Sequence, residues 1–409
     1  MNQHLAATEI KVSLNFNGTH IAVGRLASRD RKIYFEYNSN FLKSGPEISP
    51  FRLPLKPGLS SFDNSLFEGL PGVFNDSLPD GWGRLLFDRF ARSKNIAPET
   101  LTPLDRLAHV GRSGMGALVY EPDYGEVEKE GALNLDELSR QAQDVLKGEA
   151  DDVLAELLAL NGSSAGARPK ALIGVDRDRL NVSHGVDELP EGFEHWLVKF
   201  ANSQDGSDAG AVEYVYAQMA EEAGIEVPEV HLFPSETSAG YFAIKRFDRD
   251  GDNRLHMHTA CGLLHSDFRV PSLDYEDLLN LTGLLTKDVR EVEKMFRLAV
   301  FNVLAHNRDD HSKNFIFLMN MNGDWKLSPA YDLTFSQGPG GEQSTMVMGE
   351  GRSPTIEHLR KLGQTAKLQK NLIDEAIEST THALARWSEL ASSQGVSKTT
   401  IAHIQKLLP

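Results

Sequence analysis

Asp309 and Asn314 stand close together in the string "HNRDDHSKNF" (residues 306–315), and Asp332 follows in "AYDLTF". An amide oxygen and a carboxylate are hard donors of the kind Mg2+ takes when it also holds phosphate oxygens. A further acid beside them can orient a hydroxyl or take its proton. One acid for the nucleophile, with an acid and an asparagine for the metal, is the layout of phosphoryl transfer. The competing reading is a charged loop capping a helix, with Asp309 and Asp310 making turn hydrogen bonds. The place of Asp332 weighs against it. Asn322-Gly323 marks a tight turn between the apolar runs "FIFLMN" and "DWKLSP", and a hairpin there returns Asp332 to the side of Asn314.

Such a site also needs a cation for nucleotide phosphates. Lys199 in "HWLVKFA" has apolar neighbours on both sides, as a lysine lodged in a strand would. Glu213, on the helix expected next, is the acid that could orient it. "SSAGARPK" (163–170) is a small-residue loop whose backbone N–H groups can approach an anion, with Arg168 and Lys170 adding charge. It matches neither the G-x-G-x-x-G nor the Walker A pattern. "FAIKRFDRD" (242–250) falls where a hinge would run. Backbone groups of Lys245, Arg246 and Phe247 could hold an adenine edge there. Taken singly these features are more often surface charges, a plain loop and a strand end; their order makes them a set. His256 and His258 would face one side of a strand, but no third ligand of suitable type lies near them in the sequence, so zinc is set aside. Ser113 in "GRSGMG" lacks the strand–elbow–helix context of a hydrolase nucleophile.

The elements that must position these residues are legible as patterns. Ile10, Val12, Leu14 and Phe16 alternate with polar residues, Asn17-Gly18 supplies a hairpin turn, and Ile33, Phe35 and Tyr37 suggest another strand. A helix is expected after "LPDGWGR". From Pro122 to about Leu160 the composition turns acidic and then helical, which places a boundary near residue 130, with domains 1–130 and 131–409. Val289, Val292, Phe296, Ala299, Val300 and Val303 mark one face of an amphipathic helix running into the 306–315 string. The last 50 or so residues read as helical and peripheral.

The 409 residues suffice for two or three lobes. Lys+Arg 42 against Asp+Glu 58 gives −16, so the chain as a whole should not grip nucleic acid. The single cysteine, Cys261, excludes an intrachain disulfide and a cysteine-based zinc site. With no signal-peptide pattern and no long apolar window, a cytoplasmic protein with no membrane partner is expected.

In order and spacing, "SSAGARPK", "WLVKFA", "VEYVYAQMAEEAGI", "IKRFDR", "RDDHSKNF" and "LSPAYDLTFS" resemble the HipA family of serine/threonine kinases, the toxin halves of bacterial type II toxin–antitoxin modules. The resemblance covers most of the chain. It implies an α+β, two-lobed, protein-kinase-like fold, with a sheet-rich N-terminal domain and a largely helical C-terminal lobe, using ATP and Mg2+. It implies Asp309 as catalytic acid, Asn314 and Asp332 as Mg2+ ligands, and Lys199 on the nucleotide phosphates. Ala165, Gly166, Ala167, Arg168, Pro169 and Lys170 become the phosphate loop, and Lys245, Arg246 and Phe247 the adenine hinge. His311 and Tyr331 join the nucleotide site. Ser163 matches the serine that such kinases phosphorylate in themselves, with Ser164 an adjacent acceptor; that modification ejects the loop and inactivates the enzyme. The implied partners are a helix-turn-helix antitoxin of the HipB type, operator DNA mainly through that antitoxin, and a translation-related substrate such as an aminoacyl-tRNA synthetase. The implied outcome is growth arrest. The chain departs from the familiar pattern at Arg168-Pro169, at Lys245 and at Asp310, which replaces a small residue. Asp310 would double the charge beside the catalytic acid and raise the pKa of either carboxylate. The alternatives are a small-molecule or lipid kinase of related fold and a non-catalytic nucleotide-binding corepressor.

Overall fold

The computed structural model of the chain describes residues 7–125, 131–148, 154–164, 166–185, 189–202, 205–251 and 253–409. Residue 130, at the expected boundary, and Ala165, of the expected phosphate loop, lie outside the described residues. The chain divides into two units. One comprises Met1–Asp205, Ala243–His258 and Met319–Gly323; the other comprises Gly206–Phe242, Thr259–Leu318 and Asp324–Pro409.

In the first unit, period-two alternation builds a sheet of β1 (Glu9–Phe16), β2 (Thr19–Arg29), β3 (Lys32–Tyr37), β4 (Leu59–Ser61) and β5 (Leu118–Glu121), in the order β4-β3-β2-β1-β5. Ile10, Val12, Leu14 and Phe16 bury one face of β1. Asn17 and Gly18 both take positive φ, at 50° and 74°, the pair of left-handed residues that a two-residue hairpin turn requires. Helix Gly81–Ser93 buries Trp82, Leu86, Phe87 and Phe90. A second sheet holds β6 (Lys170–Asp176), β7 (Val182–His184) and β8 (Phe193–Lys199), with β6 antiparallel to both of the others. On its other side β8 pairs with Ala243–Lys245. The three-residue β7, too short to show a period, was not foreseen.

The second unit is mostly helical. Helices Ala209–Glu222, Tyr275–Thr286 and Val289–Leu304 share one apolar core with the C-terminal helices Ile356–Thr365, Lys370–Leu384, Trp387–Ser393 and Lys398–Gln405. The expectation that these last helices are peripheral is corrected here. Trp387 is fully buried and meets the Tyr216 ring edge-on at 5.7 Å; its truncation would cost about 3–5 kcal/mol. Their polar outer faces are what made them read as surface. The architecture is thus α+β, sheet-rich toward the N-terminus and helical toward the C-terminus, as the sequence suggests. Among the described residues no helix is long and apolar enough to cross a membrane.

Candidate active site

Helix Val289–Leu304 delivers the chain into the acid-bearing loop. Its N-cap is Asp288, whose side chain accepts from the Arg290 N–H. The helix is followed by Ala305, whose carbonyl accepts the Tyr216 hydroxyl at 2.8 Å. His306 takes φ 54°, a left-handed turn that stops the helix. Asp309 is exposed on this loop. Asn314 donates its Nδ2–H to the Asp309 carbonyl at 2.7 Å, which commits the nitrogen end of the amide and leaves Oδ1 as the end that can ligate.

The expected hairpin forms. Strands Ile316–Met319 and Trp325–Leu327 are neighbours in one sheet, and the Ser328 N–H closes on the Ile316 carbonyl at 2.9 Å. Beyond it the Tyr331 hydroxyl donates to the Lys313 carbonyl at 2.6 Å, and the Ser336 N–H donates to the His306 carbonyl at 3.0 Å. Asp332 therefore sits on a segment stitched at both ends to the loop of Asp309 and Asn314. Its φ of 56° is an uncommon conformation for a side-chain-bearing residue, one that Asp tolerates better than most. The His311 ring packs on Phe268 at 5.3 Å. A carboxylate and an amide oxygen fit Mg2+ completed by phosphate oxygens. Among the described residues no three His, Cys, Asp or Glu side chains gather as a self-sufficient metal site.

Asp310 does not share the fate of its neighbour. Its carboxylate turns into the core, 1% exposed, and is met by four donors. The Tyr275 hydroxyl (2.7 Å) and Gln343 Nε2 (3.0 Å) reach Oδ2, while the Ser344 (2.9 Å) and Thr345 (3.2 Å) N–H groups reach Oδ1. Thr345 Oγ1 also donates to the Asp310 carbonyl at 2.5 Å. Asn302 donates to the Tyr275 hydroxyl and accepts from Asn307, so a polar chain runs from the helix end to the loop. Burial raises the Asp310 pKa to about 6 against these hydrogen bonds. The sequence reading took Asp310 as added charge beside Asp309. The shift arises from burial, and the side chain anchors the loop from beneath.

The first unit brings together the other expected residues that carry positive charge. In the β6–β8 ladder Lys170 lies directly opposite Lys199, which puts two cationic side chains on one face. Lys170 Nζ also lies so close to Gly166 that a β-carbon there would collide with it. The Phe200 N–H donates to the Pro169 carbonyl at 2.8 Å, and Arg168 Nε pairs with Asp205 at 3.1 Å. Gly166, at φ 109°, donates its N–H to Asp80 Oδ1 at 2.5 Å and accepts from the Trp82 N–H at 3.0 Å. Ser163 and Ser164 are both 2% exposed. Ser163 Oγ accepts from the Met115 N–H at 2.8 Å, and Ser164 Oγ donates to Asn161 at 3.0 Å.

In the expected hinge, Lys245 Nζ pairs with Glu194 at 2.6 Å and the Arg246 N–H is spent on the His195 carbonyl at 2.9 Å. The Arg246 side chain is buried against Asp248, which in turn accepts from the Gly116 N–H. It works as structure, while Phe247 stays partly exposed. Glu213 is 2% exposed on helix Ala209–Glu222 of the second unit. His258 bridges Asp76 (2.6 Å) and Ser49 (3.0 Å), and His256 Nε2 donates to the Ile48 carbonyl at 2.9 Å. Ser113 donates to the Val110 carbonyl. The roles of Asp310 and Asp80 were missed. Their partners lie far along the chain, and only the acid beside an acid hinted at the first.

Comparison with known proteins agrees with this arrangement of elements. Residues 162–387 match the HipA-like C-terminal domain, and residues 15–121 match the HipA N-terminal domain. The chain belongs to the HipA family. It is 27% identical over 211 residues to "Putative kinase Y4dM" of Sinorhizobium fredii, an alignment covering 47% of this chain and 51% of that protein. To "Putative kinase Y4mE" of the same organism it is 24% identical over 208 residues, covering 46% and 49%. The chain spans about half the length of these curated relatives. A chain of the solved Shewanella oneidensis MR-1 toxin–antitoxin complex of HipA, HipB and operator DNA matches with TM-score 0.71 at 16% identity, covering 97% of this chain and 95% of that one. At that identity the likeness speaks for the fold. All the candidate residues from Ser163 to Asp332 fall within the match to the HipA-like C-terminal domain, whereas Asp80 falls within the N-terminal one.

Proposed function

We propose that this HipA-family chain is an ATP- and Mg2+-dependent serine/threonine protein kinase, the toxin of a bacterial toxin–antitoxin module. The observation that carries the reading is the stitched loop of the second unit. There Asn314 is tied to Asp309, and Tyr331, the residue before Asp332, is tied to Lys313. Lys170 and Lys199, opposite each other on neighbouring strands, add support as two cations of the kind that meet a phosphate chain.

In this reading a substrate hydroxyl lies against the Asp309 carboxylate, which orients it and takes its proton as the γ-phosphoryl group transfers and ADP leaves. Lys199, oriented by Glu213, and Lys170 carry the phosphate charge together with the N–H groups of the loop beyond Gly166. His311 and Tyr331 line the nucleotide site, and Lys245 to Phe247 hold the adenine. Mg2+ held by Asn314 and Asp332 would neutralise charge on the phosphate oxygens.

Ser163, or Ser164, is the self-phosphorylated residue. Both are buried, and a phosphate adds bulk and nearly two negative charges. Either product must leave its socket and carry the loop away, which ends nucleotide binding. The chain's −16 leaves most of the DNA affinity to a HipB-type antitoxin. Growth arrest would follow from phosphorylating a translation-related protein, such as an aminoacyl-tRNA synthetase.

The test is incubation of the full chain with labelled ATP and Mg2+. Label on the peptide holding Ser163 and Ser164 is the expected result. Label on added metabolites alone would make it a small-molecule kinase, and nucleotide binding without transfer would make it a corepressor.

A further inference from the structure

Asp80 occupies the N-cap position of helix Gly81–Ser93, yet its side chain makes no capping hydrogen bond to that helix. A capping aspartate ordinarily contributes about 1 kcal/mol to its own helix. Here Oδ1 instead accepts the Gly166 N–H at 2.5 Å, across 86 residues of sequence. The grip is two-sided, because the Trp82 N–H donates to the Gly166 carbonyl at 3.0 Å. Both polar groups of one peptide-linked residue are therefore held by Asp80–Trp82.

The neighbouring glycines fit the same contact. A β-carbon on Gly81 would lie 2.5 Å from the Gly166 carbonyl oxygen and 2.8 Å from the Ala167 α-carbon. One on Gly83 would collide with the Asn161 amide and come within 2.8 Å of Pro79. The string "PDGWG" thus presents a carboxylate and two bare backbone positions to residues 161–167. The far end of the loop is moored separately, by Phe200 on Pro169 and Asp205 on Arg168.

We propose that Asp80 is a positioning residue for the nucleotide phosphates: the N-terminal domain holds the 166–170 loop in its binding conformation through the Asp80–Gly166 bond. This rests on the reading of 166–170 as the phosphate loop. Asp80 touches no reacting atom. It fixes the near end of the loop, so that the N–H groups beyond Gly166 and the Lys170 side chain stay aimed at phosphate. A hydrogen bond to a charged acceptor is worth enough that its loss should weaken nucleotide binding about tenfold.

The experiment compares Asp80→Ala and Asp80→Asn in the full chain by two readouts. The first is hydrogen exchange over residues 161–172 without nucleotide. The second is kcat and KM for ATP with Mg2+. Asp80→Ala is expected to speed exchange at Gly166 and Ala167 and to raise KM about tenfold, with kcat within about twofold. Asp80→Asn keeps an oxygen acceptor and is expected to restore both toward wild type. If Asp80→Ala proves too unstable, Gly81→Ala pushes the same contact apart and is expected to show the same split. Unchanged exchange in Asp80→Ala overturns the clamp and leaves the phosphate-loop reading standing. Faster exchange with unchanged KM overturns the proposal together with that reading. A lower KM would make Asp80 a competitor of phosphate and also overturns it.

Discussion

Two loops of this chain carry the proposed chemistry, and they are held in opposite ways. The loop of Asp309 is pinned from below. Its next residue, Asp310, sends a buried carboxylate to four donors on two other segments, and Asn314 and Tyr331 close it from above. The loop of Gly166 is held at its edges, by the N–H and carbonyl of Gly166 on Asp80 and Trp82 and by Pro169 and Arg168 on Phe200 and Asp205. Breaking the first mooring strands several buried polar groups at once, whereas the second can be undone bond by bond. A catalytic acid needs a fixed place. On the proposed function, the loop leaves when Ser163 or Ser164 is modified, and so needs a releasable one.

The sharpest break of this contrast sets Asp309 against Asp310. Asp309→Asn keeps the shape of an exposed side chain and, on the proposed function, removes the base. Transfer to protein should fall by about three orders of magnitude, the scale of a lost general base. Urea unfolding should shift by less than about 0.5 kcal/mol, as for an ordinary surface change. Asp310→Ala should do the reverse in emphasis. It leaves the Tyr275 hydroxyl, the Gln343 amide and two backbone N–H groups facing no acceptor, at a cost of about 4 kcal/mol of stability. Asp310→Asn keeps an acceptor but turns an NH2 group toward other donors, so it should lose about half as much. Equal stability of all three variants would remove the anchoring role.

How much of this could be read in advance differs between the two loops for a physical reason. The Asp309 loop is local. An amphipathic helix, a charged string, an Asn-Gly turn and an acid beyond it lie within residues 289–332, and hairpin geometry alone returns the segment of Asp332 to the loop of Asn314. The supports of that loop were not legible. Asp310 meets Gln343, Ser344 and Thr345 from a segment with no period or motif of its own. The same holds for Gly166, whose partner Asp80 looks in the sequence like an ordinary helix cap. The C-terminal helices were misjudged because amphipathic stripes say that a face is buried without saying against what. Strands β6 and β8 were expected, but the register that opposes Lys170 and Lys199 is set by tertiary packing.

A pH series sharpens the contrast next. Burial raises the Asp310 pKa to about 6, above the value of about 4 in an unfolded chain. The folded protein then holds this proton more tightly than the unfolded one. The resulting contribution is whole below about pH 4 and is lost as pH rises through about 6. Relative to Asp310→Asn, the wild type should therefore gain about 1 kcal/mol between pH 7 and pH 5, measured by denaturant midpoints. A flat difference would mean that the four donors hold the carboxylate at an ordinary pKa.

The smallest effect probes the other loop. Lys199 stands opposite Lys170 in the register of β6 and β8. On the proposed function it carries part of the phosphate charge, so Lys199→Gln should weaken ATP binding about threefold, measured by calorimetry at low salt. The loss should fade as salt screens the charge. An unchanged affinity would take Lys199 out of the nucleotide site, and the case for that site would rest on the Asp309 loop alone.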